Sequence, residues 1–513
     1  MSGGKLNTDG WDVVIVGAGM GGSALAYSLA LGGRKVLVLE RGEAAIDRTA
    51  AQADTLDPEA RVRAGHWPHR ISGTVDASNI LFFPALGCGS GGSTLHYGAA
   101  LERLQRDDFE GTEQGDRRAP TWPISYDEMM PYYRAAEERF RARGSADPLQ
   151  DDADGLREPP PLSPCDRHFL ESFRTNGMHP YQLHTAGDAA SDCEDKMNAA
   201  EAFLEPALRT GNVFLLSRCT VERIEADDQR VTGLLCSSEG GQFHIHANTY
   251  VLAAGALSSP VLMLNSANAH WPNGVANSSG LVGRNLMFHF SDFIAVWPRG
   301  RFRVSAPGKS IGFRDFYSYK GRKLGQIQST GFTAGRGNVL HFLRQKVDRS
   351  RIRSLKLVRP LLRIPALVGS WLFGKATIFA SILEDYPYWE NRVVPSSVTP
   401  CGIHFHYTIH DELSERTSSF RRLYREAFAG HRIAVLESGL NYGHACGTCR
   451  FGNDPATSVL DSNNRSHDLP NLFIVDSSFF PSSGGTNPSL TIAANALRVG
   501  ALVAATSGSH HPT

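Results

Sequence analysis

The stretch WDVVIVGAGMGGSALAYSLALGGRKVLVLERG, residues 11 to 42, constrains the fold more than any other part of the chain. Val13 to Val16 form a β-branched apolar run, Gly17, Gly19 and Gly22 follow as G-x-G-x-x-G, Ser23 to Leu31 has helical composition, and a second apolar run from Lys35 to Leu39 ends at Glu40. Strand, tight turn, helix, strand and terminal acid make one dinucleotide-binding unit. Gly17 permits the turn, Gly19 lets backbone approach a pyrophosphate, and Gly22 lets helix and strand pack closely. The helix N-terminus offers free N–H groups and a positive dipole end to phosphate, and Glu40 offers acceptors to a ribose. NAD and FAD carry the same ADP group, so this unit does not separate them. A second glycine-rich stretch, LGCGSGGSTLHYGAAL at 86 to 101, lacks a further complete unit and reads as a loop closing over the same cofactor. There Gly91, Gly92, Ser93 and Thr94 would supply backbone N–H and hydroxyl donors.

The rest of the chain narrows the class. Its 513 residues allow about three domains. The 52 basic and 52 acidic side chains cancel, which removes the field a nucleic-acid binder needs. Eight cysteines scattered through a long chain point to reduced thiols and a cytoplasmic setting, and the polar start MSGGKLNTDG carries no secretory pattern. The segment RIRSLKLVRPLLRIPALVGSWLFGK, 351 to 375, is broken by Arg359, Pro360, Arg363 and Pro365, too early for a membrane span. It reads as an insert over an apolar cavity, or as an amphipathic segment whose cations make peripheral contact with a membrane.

Two histidine-containing segments raise the question of metal. In IHFHYTIH, alternation puts His404, His406 and His410 on one strand face, which is read as a polar face lining a substrate cavity rather than a zinc site. In HACGTCRFGNDP, Cys446 and Cys449 have a redox or metal spacing but no second cysteine pair. No metal site is expected.

Beyond the N-terminal fingerprint and GCGSGGSTLHYGA, five further blocks stand in order: WPISYDEMMPYYRAAEERF, YVLAAGALSSPVLMLNS, GLVGRNLMFH, HACGTCRFGNDPATSVLD and NLFIVDSSFFPSSGGTNPSLTIAANALRVG. On these the chain resembles the glucose-methanol-choline (GMC) flavoprotein oxidoreductases over most of its length. The resemblance implies an α/β (α+β overall) chain with a Rossmann-like FAD-binding domain at 1–115, 205–300 and 430–513, and a second, mixed-sheet substrate domain at 116–204 and 301–429. Short strands at 213–216, 220–224 and 250–253, and a Pro- and Asp-rich loop at 144–168, fit that division.

Carried over residue by residue, the resemblance gives Gly17, Gly19, Gly22 and Glu40 the adenosine diphosphate, and Gly92, Ser93 and Thr94 the pyrophosphate and flavin edge. The backbone at Val221 takes the adenine, Asp476 lies near the phosphates or ribitol, and Pro488 and Asn487 lie against the flavin ring. His96 is a site at which some relatives attach flavin covalently, although non-covalent FAD is favoured here. Cys446 and Cys449 become small residues packed beneath the flavin.

The family chemistry oxidises an alcohol by hydride transfer to flavin N5, helped by a base that removes the hydroxyl proton. His444 is the expected base. Asn487, whose amide does not titrate, orients the hydroxyl and donates to developing negative charge. The implied substrate is a small-molecule alcohol, with the apolar 355–373 stretch hinting at a lipid-like one, and the acceptor is oxygen, a quinone or a cytochrome. A non-oxidative lyase or a photodecarboxylase on the same fold is the alternative.

Overall fold

A computed structural model describes residues 8–46, 56–110, 121–150, 155–187, 196–300, 302, 309–349 and 361–506. The dinucleotide unit forms the centre of a five-stranded parallel sheet. Its strand order is Leu472–Ile474, Ala247–Leu252, Trp11–Val16, Val36–Leu39, Val213–Leu216. Val13 to Val16 and Val36 to Leu39 are buried throughout, because elements on both faces leave no solvent side to reward alternation. Helix Met20–Leu31 covers one side and packs along the C-terminal helix Ser489–Thr506, which meets helix Tyr126–Arg139 in turn. That last helix starts with a capping box: Ser125 Oγ accepts from Glu128 N at 3.1 Å, and the Glu128 carboxylate accepts from Ser125 N at 2.7 Å. A three-stranded antiparallel sheet, Thr220–Ala226, Val231–Ser238 and Gly241–Ile245, lies beside this layer.

The second layer is a six-stranded antiparallel sheet ordered Arg432–Cys446, Met287–Trp297, Thr377–Leu383, Gly325–Thr333, Ile311–Phe313, Tyr181–Gln182. One face packs on helices Pro164–Thr175 and Asp411–Ala427 through Phe169, Phe173, Phe313, Phe379 and Tyr424. Asp292 pins the second helix, accepting from Arg421 and from the Tyr424 hydroxyl, each at 2.8 Å. A smaller mixed sheet, Arg392–Pro395, Ile403–Tyr407, Ile71–Val75 and Ser78–Phe82, completes the fold with a short hairpin at 318–323.

Some elements fall differently from the sequence-based division. Strands Met287–Trp297 and Arg432–Cys446, within stretches assigned to the cofactor domain, belong to the six-stranded sheet. Helix Tyr126–Arg139, assigned to the substrate domain, shares its core with the parallel sheet. The expected loop at 144–168 ends early, since Ser163 caps a helix that opens at Pro164. Pro there supplies a ready φ and lacks only an N–H that a helix start leaves unpaired anyway.

Candidate active site

A single cavity of about 470 Å³ runs from the C-terminal ends of the parallel strands to the open face of the six-stranded sheet. Ligands of open parallel sheets bind in this place, outside the carboxyl ends of the strands.

The inner end is built of backbone. Gly17 has φ of +106°, and a Cβ on it would stand 2.5 Å from the Ala253 carbonyl oxygen. A Cβ on Gly22 would fall 1.9 Å from the Gly17 oxygen, so this glycine supports the turn from behind the wall. Gly19 and Gly92 meet where the two glycine loops cross, with 2.8 Å from a Cβ on Gly92 to the Gly19 Cα. Glu40 clips the loops together: its carboxylate accepts from Ala18 N at 2.9 Å, Gly42 N at 2.8 Å and Gly89 N at 3.0 Å, while still lining the cavity. Several of the expected donors turn inward. The N–H groups of Gly91, Gly92 and Thr94 bond to Ala18, Gly89 and Gly91 carbonyls, and the Thr94 hydroxyl donates to Gly91 at 2.6 Å. Ser93 keeps a hydroxyl on the cavity, accepting from Gly87 N at 3.2 Å with its own proton to give.

Val221 and Pro488 also line the cavity. Asp476 lines it while capping a short turn, its two oxygens accepting from Ser478 N and Oγ and from Gly255 N and Ser259 Oγ at 2.5–2.9 Å. Burial, the largest influence, raises its carboxyl above the ordinary value. His96 reaches the same cavity with Nε2 3.0 Å from the Gly65 carbonyl and its ring stacked on His66 at 3.9 Å. These walls fit an ADP-bearing cofactor, since an added Cβ at Gly17, Gly22 or Gly92 would strike neighbouring backbone and force apart the two loops whose close crossing forms the cradle.

The outer end is built of side chains. Ser291 and Phe293, Gln328, Thr330 and Phe332, and Ala380 and Ile382 point inward from three neighbouring strands at period two. Lys309 and Asn441 complete this wall. Burial pushes the Lys309 amine down to about 7.

His444 sits where strand Arg432–Cys446 leaves regular pairing: Asn441 opposes His289, yet Cys446 opposes Met287, so extra residues loop out around His444. Such irregularities re-aim side chains. Here the imidazole turns to the cavity, with its Nδ1 2.8 Å from Nδ1 of the fully buried His289. Burial holds the His444 pKa well below the ordinary 6.5, aided by His289 and Lys309, so the ring is neutral at neutral pH. Asn487 lines the same cavity, its Oδ1 accepting from Gln326 Nε2 at 3.3 Å.

Other expectations resolve differently. His404 and His406 do alternate with buried Ile403, Phe405 and Tyr407, but they line a different surface from the cavity; His404 bonds the hydroxyls of Ser72 and Thr74 at 2.9 and 3.2 Å. His410 lies past the strand, stacked on Tyr388 and 3.0 Å from Glu390. Cys446 and Cys449 are buried, near the Met287 carbonyl and Met263 sulfur, and burial raises both thiols, which opposes thiolate chemistry. Residues 351–360 lie outside the described residues, and among those described no helix is long and apolar enough to cross a membrane. Sequence reasoning missed His289, although it ends the quoted block GLVGRNLMFH, and it missed Lys309, Gln326, Gln328 and Asn441.

Similarity to known proteins follows the same outline. The chain is 30% identical to the paromamine 6'-oxidase of Streptomyces fradiae, covering 98% of this chain and 92% of that one. It is 27% identical to the 2-methyl-1,2-propanediol dehydrogenase of Mycolicibacterium austroafricanum, covering 96% and 95%. The fold matches the crystal structure of pyridoxine 4-oxidase from Mesorbium loti with a TM-score of 0.64 at 20% identity, over 98% of this chain and 100% of that one. Residues 11–291 and 396–496 match the two family descriptions of GMC oxidoreductases, and the chain belongs to the GMC oxidoreductase family.

Proposed function

We propose that the chain oxidises the CH–OH group of a small-molecule alcohol to an aldehyde or ketone, with FAD held in the cavity and His444 as general base. FAD, when bound, supplies at N5 the acceptor for the hydride leaving the carbinol carbon. Gly17, Gly19, Gly22, Gly92, Ser93 and Thr94 would shape the site for its pyrophosphate, Glu40 and the Val221 backbone for the adenosine, Asp476 for the phosphates or ribitol, and Pro488 for the flavin ring. Neutral His444 takes the hydroxyl proton as the hydride departs, and Asn487 holds the substrate oxygen through its amide. The observation that carries the proposal is the sharing of one cavity by the glycine-walled cradle and a histidine kept neutral by burial.

Ser291, Gln328, Thr330, Lys309 and Asn441 favour an alcohol with further hydrogen-bonding groups over a fatty or sterol alcohol. Relatives named for paromamine and for 2-methyl-1,2-propanediol support this choice. The acceptor would be oxygen, a quinone or a cytochrome, and the flavin would be non-covalent, with His96 the attachment point in the other case. In the test, purified holoenzyme is mixed without oxygen with polyols, diols, amino sugars and fatty alcohols while flavin absorbance is followed. Bleaching by polar alcohols is expected. Flavin that binds but resists every alcohol would support the lyase or photodecarboxylase alternative.

A second observation favours peripheral contact with an anionic membrane. Helix Arg363–Phe373 exposes Ile364, Leu367, Val368 and Trp371, spaced along one face, with Trp371 at 79%. Residues 336–375 carry ten Lys or Arg against one acid, Asp348. Apolar stripe plus cations is the pattern of a helix lying in a lipid interface. Co-sedimentation with anionic but not neutral vesicles, lost in Trp371→Ala with Leu367→Ala, is the expected result; no sedimentation with either would remove the membrane contact.

A further inference from the structure

We propose that His289 is a positioning residue that sets the tautomer of His444, so that the lone pair facing the substrate lies on His444 Nε2. This inference rests on the reading of His444 as base, but its structural core can be measured apart from it.

The geometry leaves one proton arrangement. His289 Nε2 lies 2.8 Å from the Gly484 carbonyl oxygen and 3.2 Å from that of Ser483. Carbonyls only accept, so a neutral His289 must carry its hydrogen on Nε2. Its Nδ1 is then a lone pair, and it stands 2.8 Å from His444 Nδ1. Two lone pairs at that distance would repel; His444 must therefore donate from Nδ1, which leaves Nε2 as its acceptor.

His289 stays neutral in this role. It is fully buried, and desolvation pushes its pKa down to about 4, the two carbonyls opposing only in part. Across the catalytic step the substrate O–H bond breaks and an N–H bond forms at His444 Nε2. His444 then holds both ring protons, and the Nδ1–H bond to His289 stabilises the imidazolium. The proton goes no further, because His289 has no site behind it that could release one: its far nitrogen faces carbonyls. The other ionisable group acting on His444 is Lys309, which disfavours the charged ring. Behind His289, Asp385 accepts from Phe288 N at 2.9 Å and from Tyr407, with Glu384 beside it in sequence; burial raises both carboxyls to about 7.

The loop that anchors His289 also carries Asn487, three residues beyond Gly484. Both groups expected to hold the substrate oxygen are thereby referred to one piece of backbone, Asn487 directly and His444 through His289.

Nitrogen-15 NMR of histidine-labelled holoenzyme at pH 7.5 tests this directly, with His289→Leu and His444→Ala giving the assignments. The expected result is an Nε2–H tautomer for His289 and an Nδ1–H tautomer for His444. In His289→Leu, His444 should become a tautomer mixture and anaerobic flavin bleaching should slow by ~10-fold or more at unchanged FAD content. His289→Asn can accept from His444 and donate to Gly484, and should restore most of the rate. An Nε2–H tautomer for His444 in the wild-type protein would overturn the inference, even if His289→Leu fails to fold. Loss of the base role alone would show instead as wild-type bleaching in His444→Ala, with the tautomers as stated.

Discussion

The two ends of the cavity are made of different material. The inner end, proposed for the cofactor, is glycine backbone held by other backbone, with Gly19 against Gly92 and Gly22 against Gly17. The outer end, proposed for the substrate, is a row of side chains on antiparallel strands, where Phe293, Ala380 and Gln328 stand opposite one another. Backbone recognition tolerates almost no added atom but suits a ligand common to many enzymes. Side-chain recognition leaves each position free to change while the ladder of hydrogen bonds stays intact, which lets relatives named for different alcohols share one scaffold.

The contrast can be broken from either side. Chemistry should belong to the substrate end: His444→Ala is expected to slow anaerobic flavin bleaching by ~100-fold or more while retaining FAD. Bleaching at the wild-type rate would remove His444 from the chemistry. Gly22→Ala should do the reverse. Its Cβ has no room beside the Gly17 carbonyl, so it should cost ~1–3 kcal/mol of stability and reduce FAD content, read by thermal melting and absorbance. An alanine variant with wild-type melting and flavin would show that the turn relaxes.

Acid should act on the substrate end as well. His289 has an ordinary pKa of 6.5 unfolded and about 4 folded, so between these values the unfolded chain holds the extra proton. Stability therefore falls as pH drops from about 6.5 towards 4, and His289→Asn should flatten that slope in melts taken across the window. The smallest effect concerns Lys309. Replacing it with Met should raise KM for polar alcohols by about tenfold, near 1.4 kcal/mol, and leave simple aliphatic alcohols unaffected. Equal changes for both classes would place Lys309 outside substrate recognition.

What sequence could disclose follows the same boundary. The strand, glycine turn, helix and acid from Trp11 to Glu40 were legible because every contact that explains them is local or made by backbone. His444 and Asn487 were singled out through their blocks, and both line one cavity. His289 was not, because its role depends on a carbonyl 195 residues away and on a break in strand pairing that no periodicity announces. For His404 and His406 the alternation was right and the destination wrong: period two separates the faces of a strand without saying which face meets the cavity. The assigned division likewise puts Met287–Trp297 and Arg432–Cys446 with the cofactor domain, whereas they pair in the six-stranded sheet, since a sheet joins strands that are remote in sequence.

Glu40 bears on any attempt to redesign this protein for another nucleotide. An acid at the end of the second strand is the obvious position to exchange when altering ribose recognition. Here the same carboxylate joins Ala18, Gly42 and Gly89, three points on separate loops. Exchanging it would release the crossing of those loops before any new ligand could be accommodated. A successful swap would first need another anchor for Gly89, because one carboxylate both lines the cavity and holds the junction of the loops.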